Sequence, residues 1–231
     1  MNKKHAFVLS FFLLVFLFVN GQEVRFSFQL GAAIPVGDFA LNQSHPDSNG
    51  FASTGVDIRF VGERVLENNF VMGVNLGYSM FTMDNEAIKK VINPSNPENV
   101  IVETQSFQNI SLQARVGYNI NLIKDRLGAV PFVDAGLGVF NSAYYAITDG
   151  SGNYAVREGN AAMALLVSPG LDIWIPINDF MNLKVYCSYH FANYNVDETF
   201  RFTGSNTVEK NATIHYKYNS ISTGLGLTMV F

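Results

Sequence analysis

Ser188 and His190 lie two residues apart in a segment that alternates apolar and polar side chains, so both belong to the same face of a predicted strand. A serine beside a histidine could act as a nucleophile with its general base, and a carboxylate would then have to orient the histidine. The next carboxylate along the chain is Asp197, in the following predicted loop. The pattern therefore favours a hydrogen-bonded interior histidine over catalysis, and we predict no enzymatic activity and no cofactor.

The other candidates for site chemistry are histidines and acidic residues in predicted loops. His45 and His215 stand near Asp47 and Asn211, but they do not have the spacing of metal ligands. Residues 149–153 (DGSGN) resemble a calcium loop that lacks its bidentate terminal acid, so we expect a plain turn there. The sequence predicts no metal site.

Charged residues on the polar faces of the predicted strands form the most informative set. Charge inside a membrane protein is costly unless it is paired or hydrated. Two short turns place Arg115 close to opposite Asp134, and Asp172 close to opposite Lys184. The set is either a path for protons or ions or a salt-bridge network that fills a closed barrel, and a narrow lumen favours the network. Its members are Arg25, Asp57, Arg59, Arg115, Asp134, Asp172 and Lys184.

About eight segments must position these residues, each near the ~10 residues that cross a membrane as a tilted strand. The segment 110–120 is typical: its even positions are apolar, and its odd positions are polar or glycine. The connections alternate between long loops and short turns, which is typical of outer-membrane barrels. We therefore predict an all-β fold, an up-and-down antiparallel transmembrane β-barrel of eight strands.

Two residue types mark special points of these strands. Pro169 falls inside the sixth segment, where we expect a bulge or local distortion, because proline lacks a donor for the strand ladder. Ten glycines fall on the polar faces, and we interpret them as relief of crowding in a narrow lumen. They are Gly31, Gly55, Gly73, Gly77, Gly117, Gly136, Gly138, Gly170, Gly224 and Gly226.

The amino terminus has the pattern of a secretory signal peptide at residues 1–21. Lys3 and Lys4 precede an apolar run of about fourteen residues, which is shorter than the ~20 of a spanning helix. Residues 22–231 then form one barrel domain. Without Lys3 and Lys4, 13 basic residues face 19 acidic ones, a formal net charge of −6 that argues against nucleic acid as a partner. Cys187 is the single cysteine, so no internal disulfide forms, and its position on an apolar face predicts contact with lipid.

Residues 29–39 (QLGAAIPVGDF) resemble the first strand and its exit in small outer-membrane barrels of Gram-negative bacteria. Residues 224–231 (GLGLTMVF) resemble their terminal strand. The families concerned are the OmpA transmembrane-domain and OmpX-like barrels and the group that includes PorT-like proteins. The resemblance implies integration in the cell outer membrane and contact with its lipid and lipopolysaccharide. It also implies that Phe231 is the signal read by the barrel-assembly machinery.

This class fixes location more than activity, because one fold supports many functions. We expect a non-enzymatic barrel that acts through its long loops, in surface interaction, envelope support or an accessory role in secretion or assembly. The partner protein is unknown. One alternative is a narrow, porin-like channel or transporter for small or apolar solutes, and another is a lipid-modifying enzyme that uses Ser188 and His190.

Overall fold

A computed structural model describes residues 23–40, 51–124, 126–148, 154–203 and 207–231. The predicted signal peptide at 1–21, the residues His45 and Asp47, and the predicted turn at 149–153 lie outside the described residues or extend beyond them. No helix in the described part of the chain is long and apolar enough to cross a membrane.

The described chain is built almost entirely from antiparallel strands. Eight of them close into a ring in the order β1-β2-β3-β5-β7-β10-β11-β12, with β12 paired to β1 and β10 paired to β11. The predicted all-β, eight-stranded, up-and-down barrel is therefore confirmed. The strands are β1 (Glu23–Pro35), β2 (Ala52–Val65), β3 (Phe70–Met83), β4 (Ile101–Thr104), β5 (Phe107–Tyr118), β6 (Ile120–Ile123), β7 (Leu127–Asn141), β8 (Tyr145–Thr148), β9 (Tyr154–Glu158), β10 (Ala161–Asn178), β11 (Met181–Thr203) and β12 (Val208–Val230), and the helix α1 is Asn85–Ile92.

The barrel has an apolar outside and a polar inside. On β1, the outward side chains of Phe26, Phe28 and Leu30 are about half exposed, whereas Ser27 and Gln29 between them are buried. The outward apolar positions of β1 run from 24 to 34, which corresponds to about 33 Å along the strand and roughly 23 Å across a bilayer at a ~45° tilt. That height matches the apolar band of membrane barrels. A water-soluble barrel would place these two faces the other way round.

One side of the barrel continues well beyond the ring. The β1–β12 ladder ends at Pro35 and Ser220, but β11 and β12 stay paired as far as Phe202 and Val208. Strands β9, β8 and β4 add to the free edge of this hairpin in that order. We call the β4, β8, β9 and extended β11–β12 assembly the loop-end sheet. The sequence pattern predicts loops for these segments and gives no sign of this sheet or of α1.

The expectation of a bulge at Pro169 is wrong. The β10–β7 ladder continues through Pro169 without a shift and pairs it with Val133. The β10–β11 pairing skips 168–169 but resumes in the same register at Gly170. Proline removes one ladder donor, and the strand tolerates that loss because both neighbouring ladders hold its path. The register shift of β10 lies instead at its turn end, between Pro176 and Asn178.

Candidate functional site: a filled lumen and an aromatic mouth

A buried network of five charged side chains fills the end of the lumen near the short turns. Arg115 donates from Nε to Asp134 Oδ1 at 2.8 Å and from Nη1 to Asp172 Oδ2 at 2.9 Å. Lys184 Nζ lies 3.0 Å from Glu63 Oε1 and 3.1 Å from Asp172 Oδ2. The Arg115 guanidinium also lies 3.7 Å from the centre of the Phe132 ring. Each carboxylate contacts at least one cation, so the network satisfies charges that could not stand alone in this interior.

The predicted pairs are present, and their geometry shows what periodicity could and could not give. Arg115 lies directly opposite Asp134 in the β5–β7 ladder. Lys184 lies opposite Trp174 rather than Asp172, so the Asp172–Lys184 contact is diagonal. Long side chains reach across such a diagonal, because next-nearest positions on one face are only about 7–8 Å apart.

Glu63 is the residue that sequence reasoning missed. The segment around Gly62 and Arg64 reads as a polar turn, but it belongs to β2, whose ladder continues to Val65. The Glu63 side chain is fully buried and contacts both Lys184 and Arg115. The available signal was the odd-position pattern of Asp57 and Arg59 on the same face, which Glu63 continues at the same period.

The turn end of the barrel is closed by a second, partly exposed cluster. Arg25 contacts Glu23 at 2.5 Å and donates from Nη1 to Asn119 Oδ1 at 3.3 Å. The same Asn119 oxygen accepts from Trp174 Nε1 at 3.0 Å, and the Arg25 guanidinium lies 5.4 Å from the centre of that indole. Arg25 therefore stands apart from Arg115 and Lys184 in its direct contacts and links strand β1 to the short turn that follows β5.

The middle of the lumen holds Asp57, Arg59 and His190. Arg59 Nε contacts Asp57 Oδ2 at 2.6 Å, and its Nη2 lies 2.8 Å from His190 Nε2. Tyr186 donates to the same Asp57 oxygen at 2.9 Å, and its ring lies under the Arg59 guanidinium. Thus the seven predicted charges form three groups: Arg25 at the turn end, Asp57 with Arg59 in the middle, and the remaining four in the network with Glu63.

The geometry around His190 bears on the predicted alternative of catalysis. Arginine can only donate, so His190 Nε2 accepts from Arg59 and the ring proton lies on Nδ1, which donates to Ser168 Oγ at 2.7 Å. Ser188 Oγ lies 3.1 Å from the same Nε2. A general base needs that lone pair for the serine proton, and here a permanent cation occupies it. The pair is therefore arranged as structural hydrogen bonding.

The opposite end of the lumen, the mouth, is packed with aromatic rings. Phe39 enters it from a 3-10 turn (Gly37–Phe39) that follows β1. The surrounding rings come from five different strands and are almost completely buried. They are Phe81, Phe107, Phe140, Tyr194, Tyr216 and Tyr218.

Above the mouth, a buried ion pair joins β9 to β11 in the loop-end sheet. Arg157 Nη2 lies 2.5 Å from Glu198 Oε1, and its Nε contacts Glu198 Oε2. Tyr216 donates to Glu198 Oε1 at 2.8 Å. Burial raises the pKa of the Glu198 carboxyl, and the Arg157 guanidinium opposes that shift. This pair holds the loop-end sheet over the aromatic mouth.

Two further predictions concern single positions and metals. Cys187 is a free, exposed thiol on the outer face of β11. Phe231 is also exposed, its ring centre lies 6.2 Å from that of Phe26, and its backbone pairs with Val24. Within the described ranges, no three His, Cys, Asp or Glu side chains are grouped so that they could hold a metal ion.

An eight-stranded, lipid-facing barrel with a filled lumen defines the class as a small outer-membrane-type β-barrel. The chain belongs to the family described as "Putative MetA-pathway of phenol degradation", which matches residues 7–227. No curated protein matches it. Among solved structures, it is similar to a major outer membrane protein from Thermus thermophilus, with 14% identity, 90% of this chain and 99% of that chain covered, and a TM-score of 0.54. It is also similar to Ail of Yersinia pestis, with 11% identity, 91% and 99% covered, and a TM-score of 0.40. The first likeness supports the fold.

Proposed function

We propose that this protein is an integral, non-enzymatic barrel of the outer membrane whose work is done by the loop-end sheet. The observation that carries this proposal is the contrast between the two halves of the molecule. The lumen is packed with the ion network, the His190 group and the aromatic mouth, whereas β11 and β12 continue about twelve residues beyond the ring to support an ordered surface. A closed barrel of this kind anchors and displays rather than conducts.

The outward faces of the strands support the membrane location. Tyr189 and Phe191 are the last apolar outward residues of β11, and Asn193, Asn195 and Asp197 follow them at the same period. Aromatic side chains at such a change of polarity are typical of the membrane–water interface. The partners that follow are outer-membrane lipid and lipopolysaccharide around the belt, and the barrel-assembly machinery at the terminal strand that ends in Phe231.

The display function is tested by co-isolation from native outer membranes. We would compare the full chain with a variant in which residues 145–158 are replaced by a short Gly-Ser linker. The control variant replaces residues 85–92, which form α1 in another loop, in the same way. The proposal expects a protein partner that is recovered with the full chain and with the control, but not with the first variant. Equal recovery with all three would contradict a role for the loop-end sheet.

A channel for small or apolar solutes is the alternative that the filled lumen argues against. Steady single-channel conductance of the purified protein in planar bilayers, increased by Lys184→Met, would replace the proposed function with a gated pore. The enzymatic alternative is tested separately by mass analysis of lipid A in cells that carry wild-type protein or Ser188→Ala. A lipid A modification that disappears with Ser188→Ala would overturn the non-enzymatic assignment.

A further inference from the structure

Phe39 occupies a cage of aromatic rings at the mouth of the barrel. Its ring centre lies 5.1 Å from that of Phe81, 5.4 Å from Phe107, 5.9 Å from Phe140 and 5.2 Å from Tyr218. The interplanar angles to the three phenylalanines are 84°, 65° and 71°, so each meets Phe39 in an edge-to-face arrangement. This is the geometry that one aromatic ring prefers among others.

The walls of this cage and its occupant are held in very different ways. Every wall ring stands on a paired strand, and Phe81 and Phe107 lie directly opposite each other in the β3–β5 ladder. Phe39 stands on a three-residue turn beyond the last β1–β12 ladder pair, held by the bond from Ala40 N to Gly37 O at 3.0 Å. A preformed site with a weakly tethered occupant is the arrangement expected where the occupant can exchange.

Two more features of the turn allow that exchange. The ion pair of Asp38 with Lys217, at 2.8 Å, lies largely exposed on the surface, where such pairs contribute little. Gly37 has φ of 59°, a backbone conformation that glycine adopts at no steric cost. The turn therefore has a hinge and few bonds to break when Phe39 leaves.

We propose that this cage is a binding site for an uncharged, single-ring aromatic molecule, and that Phe39 is its resident occupant. The size of the site is set by one phenyl ring. Its charge preference follows from the wall, because the buried residues clustered there are aliphatic, aromatic or methionine. Engineered apolar cavities of one-ring size bind benzene, which shows that such a fit suffices for binding. This inference goes beyond the proposed display function, since a ligand at the mouth needs no open lumen.

Displacement makes a quantitative prediction about Gly37. The apparent affinity of a ligand falls in proportion to the fraction of protein in the open form. Alanine in the left-handed conformation costs about 1–2 kcal/mol, so Gly37→Ala disfavours the closed turn and raises the open fraction by about fivefold or more. The added methyl has room, because the nearest atom to a Cβ there is Asn219 Nδ2 at 3.6 Å. The variant should therefore bind the same ligand about fivefold more tightly.

The test follows the occupant rather than the ligand, because toluene also partitions into membranes. We would place 4-fluorophenylalanine at position 39 of the full chain in lipid nanodiscs and record its ¹⁹F spectrum during a toluene titration. A protein labelled instead at position 60, where Phe60 faces lipid, is the matched control. Heat-modifiable gel mobility confirms that each sample is folded.

The proposal expects a saturable change at position 39 only, a midpoint about fivefold lower in Gly37→Ala, and a much weaker effect of methylcyclohexane, which has the same size without the aromatic ring. A linear, non-saturating change at both positions would overturn the site. Saturation with an unchanged midpoint in Gly37→Ala would overturn displacement of Phe39. Equal response to methylcyclohexane would overturn the aromatic class of ligand.

Discussion

Replacing Glu63 by glutamine should destabilise the barrel strongly, although the substitution changes almost no volume. Glu63 is fully buried and contacts Lys184 at 3.0 Å and Arg115 at 3.4 Å. At an effective dielectric constant of about 20, each contact represents roughly 5 kcal/mol of attraction before desolvation is counted. The desolvation that Glu63 no longer incurs offsets most of this sum. What remains is the cost of leaving buried cations undercompensated, which is typically ~3–5 kcal/mol.

Glu23→Gln provides the matched control, since Glu23 pairs with Arg25 on the same strand but is one-third exposed. An exposed pair contributes ~0–1 kcal/mol. The assay is the free energy of unfolding by guanidinium in lipid vesicles for both variants. The reasoning is refuted if the two variants lose the same free energy, because the network would then be hydrated. Combining Glu63→Gln with Lys184→Met removes one charge of each sign, and the combined loss should fall short of the sum by ~0.5–3 kcal/mol.

Three further outcomes follow from individual positions. Gly31→Ala should cost ~1–3 kcal/mol of unfolding free energy, because its Cβ would lie 2.1 Å from Thr223 O, whereas Gly62→Ala, whose nearest contact is 3.3 Å, should be tolerated in the same assay. Because burial raises the pKa of Glu198, the closed loop-end sheet gains protection as pH falls to the ordinary carboxyl value of 4.5 and loses it as pH rises through the raised pKa; hydrogen-exchange protection of β9 should follow this trend, and Glu198→Gln should flatten it. Deleting Phe231 should lower the amount of assembled, heat-modifiable barrel more than shortening the loop at 84–106, and equal assembly would contradict its role as a signal.

The periodicity of the sequence was sufficient for the barrel but not for its contents. Alternation places a side chain on the inner or outer face, and this gave the burial of Arg59 and Arg115 and the contact of Arg115 with Asp134. It could not give the contact of Arg59 with His190, which are 131 positions apart and meet only because the sheet closes. Nor could it identify Phe39, which follows the end of β1 and enters the lumen only through the turn at Gly37.

The sequence by itself determined the strand count, the direction of each face and the lipid-facing character of the outside, because these depend on neighbours one or two positions apart. The tertiary structure decided which charges share a site, which ring fills the mouth and how far β11 and β12 rise beyond the ring. Those features depend on closure and stagger, which bring distant residues to one level of the lumen. The same polar pattern that suggested a turn at Glu63 became the centre of an ion network once β2 lay across the lumen from Lys184.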